Sequence, residues 1–166
     1  MTINTLFGPE EVTCKPRSIK IKRIKAVFDT LTIREEVASY LPPSNRFTSP
    51  LQIFQMFSFL QQETKEYFLT LHLDGKNRIV CMEEVSVGSL NQSIVHPREV
   101  FKTALLSSAA AIVLMHNHPS LDPTPSREDR EITRRLKEAG DLLGIRVLDH
   151  IIVGQSYFSF VEQGLL

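Results

Sequence analysis

Apolar residues recur at helical spacing from Pro16 onward, as Ile21, Ile24, Val27, Phe28 and Leu31, with Lys20, Lys22, Arg23 and Lys25 between them. The pattern predicts an amphipathic helix with a basic outer face. Residues 1–14 before it have no period and read as a loose arm. The break at Leu41-Pro42-Pro43-Ser44 divides an N-terminal region, residues 1–43, from a main domain, residues 44–166. In that domain Thr48-Ser49-Pro50 starts a helix, with a hydroxyl to cap it and a proline where the missing amide costs nothing, and Leu51, Phe54, Phe57 and Leu60 make its apolar face. Residues 66–73 alternate as a strand, Asp74-Gly75 turns the chain, and residues 78–87 return as a second strand. His96-Pro97 opens a helix carrying Val100, Phe101, Ala104 and Leu105. The continuous apolar run 109–115 suits a strand buried on both faces. Ser126 opens a further helix, with Ile132, Leu136, Ala139 and Leu143 toward the core and Gly144 to end it in a left-handed cap. Strands over 145–153 and 157–160 complete the chain. Helices alternating with strands, interrupted by one hairpin, predict an α/β domain: a mixed sheet with helices on both faces.

Composition narrows the function classes. The chain has 166 residues, 42% of them hydrophobic and 23% charged, enough for one well-buried core. Lysine plus arginine and aspartate plus glutamate number 19 each, so net charge attracts neither nucleic acid nor a membrane surface. A nucleic-acid partner would need a local patch such as the basic helix, although four charges on an exposed helix are more often a solvated face. Cys14 and Cys81 lie far apart, with no C-x-x-C pair, giving neither a disulfide framework nor a thiolate metal site and fitting a reducing compartment. With no signal-peptide pattern and no apolar run of membrane-spanning length, a cytoplasmic protein without a membrane partner is expected.

The chemistry concentrates in His116-Asn117-His118-Pro119-Ser120 and the stretch after it, through Ser126 and Asp129. Residues two apart in extended backbone point the same way, so His116 and His118 can aim at one point while Asn117 faces away. Pro119, Pro123 and Pro125 keep the following loop out of helix, and Asp129 falls one turn into the helix that Ser126 opens. Two neutral nitrogens and a carboxylate oxygen could then share one cation, a set that zinc accepts with a fourth position open. Ser126-x-x-Asp129 is also close to a capping box, which needs no metal, and at this point both readings stand. Glu66 at a strand start and Glu83 and Glu84 within a strand are the carboxylates available for proton transfer, and a strand end favours Glu66, since it can reach over a neighbouring strand's end. His96 and His150 read as structural.

The series His116-x-His118-x7-Ser126-x2-Asp129 resembles the JAMM motif of the MPN metalloprotease superfamily. His96-Pro97-Arg98-Glu99-Val100, His116-Asn117-His118-Pro119-Ser120, Pro125-Ser126 and Leu148-Asp149-His150-Ile151-Ile152-Val153 resemble, more closely, the bacterial RadC family over about residues 44–166. The resemblance implies a cytidine-deaminase-like α/β fold, zinc held by His116, His118 and Asp129, and a catalytic glutamate in a Glu-aromatic segment, matched by Glu66-Tyr67-Phe68. It departs in two places. Leu121 stands where the family usually has glycine, so a left-handed backbone there would cost about 1–2 kcal/mol. A counterpart of the helix-hairpin-helix region of longer members is also missing, which loosens the family's DNA-repair association.

The function expected from these features is a zinc-dependent hydrolase acting on an amide of a peptide or protein, including isopeptide bonds, with Glu66 as general base and Ser126 as oxyanion donor. The alternative is a DNA-repair-associated or nucleic-acid-binding protein whose metal site is structural or inactive. A nucleobase deaminase would need H-x-E followed by P-C-x-x-C, and neither is present.

Overall fold

A computed structural model describes residues 27–28, 46–88 and 95–166. The expected N-terminal arm and the basic face of Lys20, Lys22, Arg23 and Lys25 lie outside the described residues, as does the Leu41–Ser44 break. The main domain is built from helix α1 (Pro50–Met56), a 3-10 turn (Ser58–Gln62), strands β1 (Glu66–Leu73) and β2 (Ile79–Gly88), helix α2 (Pro97–Leu106), strand β3 (Ala111–Asn117), helix α3 (Arg127–Leu143) and strands β4 (Arg146–Val153) and β5 (Tyr157–Ser159). The strands form one sheet in the order β2-β1-β3-β4-β5. Only β3 and β4 run parallel, and α3 lies between them in the chain. This is the expected mixed sheet with helices on both faces.

Alternation along the strands sorts the core into two layers. Leu69, Leu71, Leu73, Val113, Met115, Ile151 and Val153 pack with Ile53, Met56, Phe57 and Leu60 from α1 and the 3-10 turn. On the other face, Phe68, Ile112, Leu114 and Val147 pack with Val100, Phe101 and Ala104 of α2 and Leu136 of α3. β3 is buried at every position, as its apolar run requires at the centre of a sheet covered on both sides. An extra residue, Leu148, interrupts the pairing of β4 with β3: Ile112 pairs with Val147 but Val113 with Asp149. Such a bulge reverses the alternation beyond it, so His150 and Ile152 share the helix α3 face with Val147.

Three helix faces differ in detail from the sequence pattern. α1 stops at Met56, and the chain tightens into the 3-10 turn, so Ile53 and Met56 enter the core and Leu51 stays 46% exposed. Leu105 of α2 and Leu143 of α3 are exposed. Gly140 takes the place on α3 that a larger residue cannot, because a Cβ there would meet the Ile145 carbonyl oxygen at 2.5 Å. The caps follow expectation: Ser49 accepts the Gln52 amide, His96 the Arg98 amide, and Gly144 ends α3 at φ 72°.

One buried group of this scaffold titrates. His72 is 1% exposed, with Nε2 3.1 Å from Thr70 Oγ1 and Nδ1 2.8 Å from Ser107 Oγ and 3.3 Å from Cys81 Sγ. Burial lowers its pKa from 6.5 to about 4. Because the folded value lies below the unfolded one, the unfolded chain binds more protons between those limits, and stability falls as pH drops from 6.5 toward 4. The cost reaches on the order of 2–3 kcal/mol at the acid end. Urea unfolding at pH 7 and pH 4.5 will show a smaller acid loss for His72→Asn than for the parent chain; equal losses in both would mean that His72 takes no part in it.

Candidate metal centre

The centre lies where β3 ends and α3 begins. His116 is the sixth residue of β3 and wholly buried, while His118 lies just beyond the strand, its amide donating to the Val153 carbonyl at 2.9 Å and drawing it alongside β4. Strand geometry carries both rings to the α3 face, their Nε2 atoms 3.0 Å apart. Asp129, buried in the first turn of α3, puts Oδ1 3.2 Å from His116 Nε2 and Oδ2 3.4 Å from His118 Nε2. The three donors stand within 4.8 Å of one another and could hold a metal ion. The fit is testable by size: metal–ligand bonds near 2.0–2.2 Å at tetrahedral angles set neighbouring donors about 3.3–3.6 Å apart, close to the 3.0 Å between the two histidine nitrogens and the 3.2 and 3.4 Å from each of them to its own oxygen of the Asp129 carboxylate.

The capping box is present as well. Ser126 Oγ accepts the Asp129 amide at 3.1 Å, and Asp129 Oδ2 accepts the Ser126 amide at 2.7 Å and its hydroxyl at 2.6 Å. The two readings of this serine and aspartate are therefore one arrangement: the cap fixes the rotamer that turns the carboxylate toward the histidines. Burial opposes charge on Asp129, but its close contacts with His116, His118 and Ser126 outweigh it and hold the carboxyl far below the usual range. For His118, burial is likewise outweighed, by Asp129, the Asp122 carbonyl and Glu66, and its pKa is raised. In the fully buried His116 desolvation wins, and the neutral ring is favoured. A dry anionic oxygen beside two imidazole nitrogens is an environment that a divalent cation neutralises.

Glu66 opens β1. Two residues on, Phe68 pairs with His116, so alternation puts Glu66 on the face that carries the histidines. Its charge favours the protonated form of both His116 and His118. Glu84 is exposed, and Glu83, whose pKa burial raises, interacts with Lys102 and Glu84. Asn117 faces away from the histidines but is not idle. Its side-chain oxygen accepts the Tyr67 amide at 2.8 Å and its NH2 donates to the Lys65 carbonyl at 3.0 Å, clamping the backbone on both sides of Glu66.

Around the donors lies a layer that sequence reasoning did not find. His118 Nδ1 sits 2.7 Å from the Asp122 carbonyl oxygen. His116 Nδ1 sits 2.8 Å from His150 Nε2, and His150 Nδ1 2.6 Å from Thr133 Oγ1. Phe160 stacks on His150, and Phe68 lies parallel to His116. Thr133 was legible in part, since it follows Asp129 by four and so shares its helix face. The loop bends at Leu121, which takes φ 63°, the left-handed conformation expected to cost a non-glycine residue. Gly154 permits that bend to pack, because a Cβ there would lie 2.5 Å from the Leu121 carbonyl oxygen, while the neighbouring Gln155 amide donates to that oxygen at 2.7 Å.

Among the described residues no helix is long and apolar enough to cross a membrane. Comparison with known proteins places the chain within a family. A UPF0758 protein of Trichlorobacter lovleyi is 62% identical over 149 residues, covering 89% of this chain and 64% of that protein. Another, from Geotalea uraniireducens, is 66% identical over 123 residues, 73% of this chain and 54% of that protein. A third, from Methanosarcina mazei, is 47% identical over 149 residues, again 89% and 64%. The chain thus spans less than two thirds of the length of these relatives. The family model described as a RadC-like JAB domain matches residues 47–165, nearly the whole main domain, with His116, His118, Asp129 and Glu66 all inside it. The chain belongs to the RadC-like JAB domain family.

Proposed function

We propose that the domain is a zinc-dependent hydrolase that cleaves an amide bond in a peptide or protein, isopeptide bonds included. The observation that carries this reading is the convergence of His116, His118 and Asp129, one ligand atom from each within 4.8 Å of the others, with the charge of Glu66 acting on both histidines. Zinc held by those three residues would supply a Lewis acid for the scissile carbonyl and a water acidic enough to ionise near neutral pH. Glu66 accepts the attacking water's proton and returns it to the leaving amine. Ser126 is exposed, and its hydroxyl, which donates to Asp129 at 2.6 Å, turns about one torsion to donate to the carbonyl oxygen as charge develops there. Asn117 keeps the Glu66 backbone fixed to the strand that carries His116, so base and metal ligands move as one unit.

The test is metal content by elemental analysis of the purified protein, followed by hydrolysis assays on a panel of peptides and isopeptides. One zinc per chain and turnover that stops with chelator and returns with zinc are expected. Protein with stoichiometric zinc and no turnover across the panel would sink the catalytic reading, and protein with no metal affinity would sink the centre itself.

A further inference from the structure

The buried chain Thr133, His150, His116 has a direction that can be deduced from its far end. The Thr133 hydroxyl has a single proton and donates it to the Asp129 backbone carbonyl at 2.5 Å. Its contact with His150 Nδ1 at 2.6 Å must then be one in which the imidazole donates. A neutral His150 that carries its proton on Nδ1 leaves Nε2 bare, and Nε2 can only accept from His116 Nδ1, 2.8 Å away. His116 is then protonated on Nδ1, and its Nε2 lone pair points at His118 Nε2 and Asp129 Oδ1. Every donor in this sequence has one acceptor, and no proton is left over. The alternative direction would have the threonine donate to His150, protonating its Nε2 and forcing the proton of His116 onto the nitrogen that faces the other donors.

We infer that Thr133 and His150 are positioning residues that set the tautomer of His116 and hold its Nε2 lone pair ready for a cation. The inference rests on the metal-centre reading and deepens it. Packing supports a positional role: His150 is wholly buried, stacked on Phe160 at 5.0 Å between ring centres and edge-on to Phe68 at 5.6 Å, so its ring has no room to turn. The sequence closes on itself, because the carbonyl that receives the threonine proton belongs to Asp129, the residue whose carboxylate meets the same lone pair. Orientation of one donor is thereby tied to the placement of another. Outer partners of metal-bound histidines commonly change metal affinity by about 10- to 100-fold.

The experiment uses Co2+ as the probe, titrated into metal-stripped protein against a competing chelator, with visible absorption reporting coordination. Thr133→Val, which keeps the shape and removes the hydroxyl, weakens Co2+ binding by about 10-fold. His150→Phe, which keeps an aromatic ring over Phe160, weakens it by up to about 100-fold. His150→Gln recovers part of that loss, because its side-chain carbonyl can still accept from His116. Adding Thr133→Val to His150→Phe costs less than Thr133→Val costs in the parent protein, since the threonine orients His116 through the histidine. In the metal-loaded parent protein, long-range nitrogen–proton NMR correlations show His150 protonated on Nδ1, a readout that a merely structural histidine would not fix and that does not need the phenylalanine variant to fold. Parent-like Co2+ affinity in Thr133→Val and His150→Phe, or His150 protonated on Nε2, overturns the inference while the metal centre stands. No Co2+ uptake by the parent protein sinks the centre and the inference together.

Discussion

Glu66→Gln will keep its fold and its metal and lose amide hydrolysis by about 10²- to 10⁴-fold, which is roughly 3–5 kcal/mol of barrier. Glutamine has the shape of glutamate and can hydrogen-bond a water, but at neutral pH it cannot take that water's proton. Glu66 begins β1 and is held there by the Asn117 contacts to Lys65 and Tyr67, neither of which involves its side chain, so the substitution leaves the strand pairing alone. Single-turnover rates on whichever peptide or isopeptide the parent protein cleaves, read beside zinc content, decide the matter. Normal turnover in Glu66→Gln with loss in Glu83→Gln or Glu84→Gln would move the base to β2. Normal turnover in all three would leave the reaction without a carboxylate base.

Asp129→Ala will lose stoichiometric metal altogether, and His118→Ala will do the same, because two remaining ligands cannot hold the ion against water. The aspartate has a second task, since its carboxylate closes the capping box on the Ser126 amide at 2.7 Å and lies at the positive end of α3. Its removal therefore destabilises the metal-free protein by about 1 kcal/mol, from the lost cap and the lost charge–dipole attraction. Asp129→Asn separates the two tasks, because its side-chain oxygen can still accept from Ser126 while the anionic oxygen that a divalent cation needs is gone. Elemental analysis measures the first effect, and urea unfolding of the metal-free proteins the second. Full metal occupancy in Asp129→Ala or His118→Ala would mean that the ligand set is wrongly drawn.

The features readable from sequence were those written locally in the chain. The apolar run that becomes β3, the alternation of β1, the Asp74-Gly75 turn and the prolines of α1 and α2 each act through neighbours in sequence, and each element forms within a few residues of where its pattern lies. His116, His118, Ser126 and Asp129 were legible for the same reason, as a strand end and a helix start joined by a short loop. The details that failed depend on tertiary fit. Leu51, Leu105 and Leu143 have helical spacing yet remain exposed, because the sheet meets a different part of each helix. His150 is 34 residues from His116, and Asn117 is 50 from Tyr67. Nothing in the local composition of either partner marks the other. The close approach of Gly154 to the Leu121 bend is likewise invisible until the loop is seen lying against β4.

The extra residue at Leu148 makes the centre depend on counting as well as on identity. If β4 paired with β3 without the bulge, so that Leu148 stood opposite Val113, the composition of β4 would not change at all. The parity of everything after Leu148 would be inverted. Asp149, which accepts the Ser159 hydroxyl at 2.6 Å and the Val161 amide at 3.1 Å on the opposite side of the sheet, and His150, which meets His116, would exchange sides. A carboxylate would then face the metal ligands and an imidazole would face the last turn of the chain, with every amino acid type still present in order. Substitution in this strand can be absorbed by degrees, but a slip of one residue in its pairing cannot, so the bulge at Leu148 constrains the chain as firmly as the histidine does.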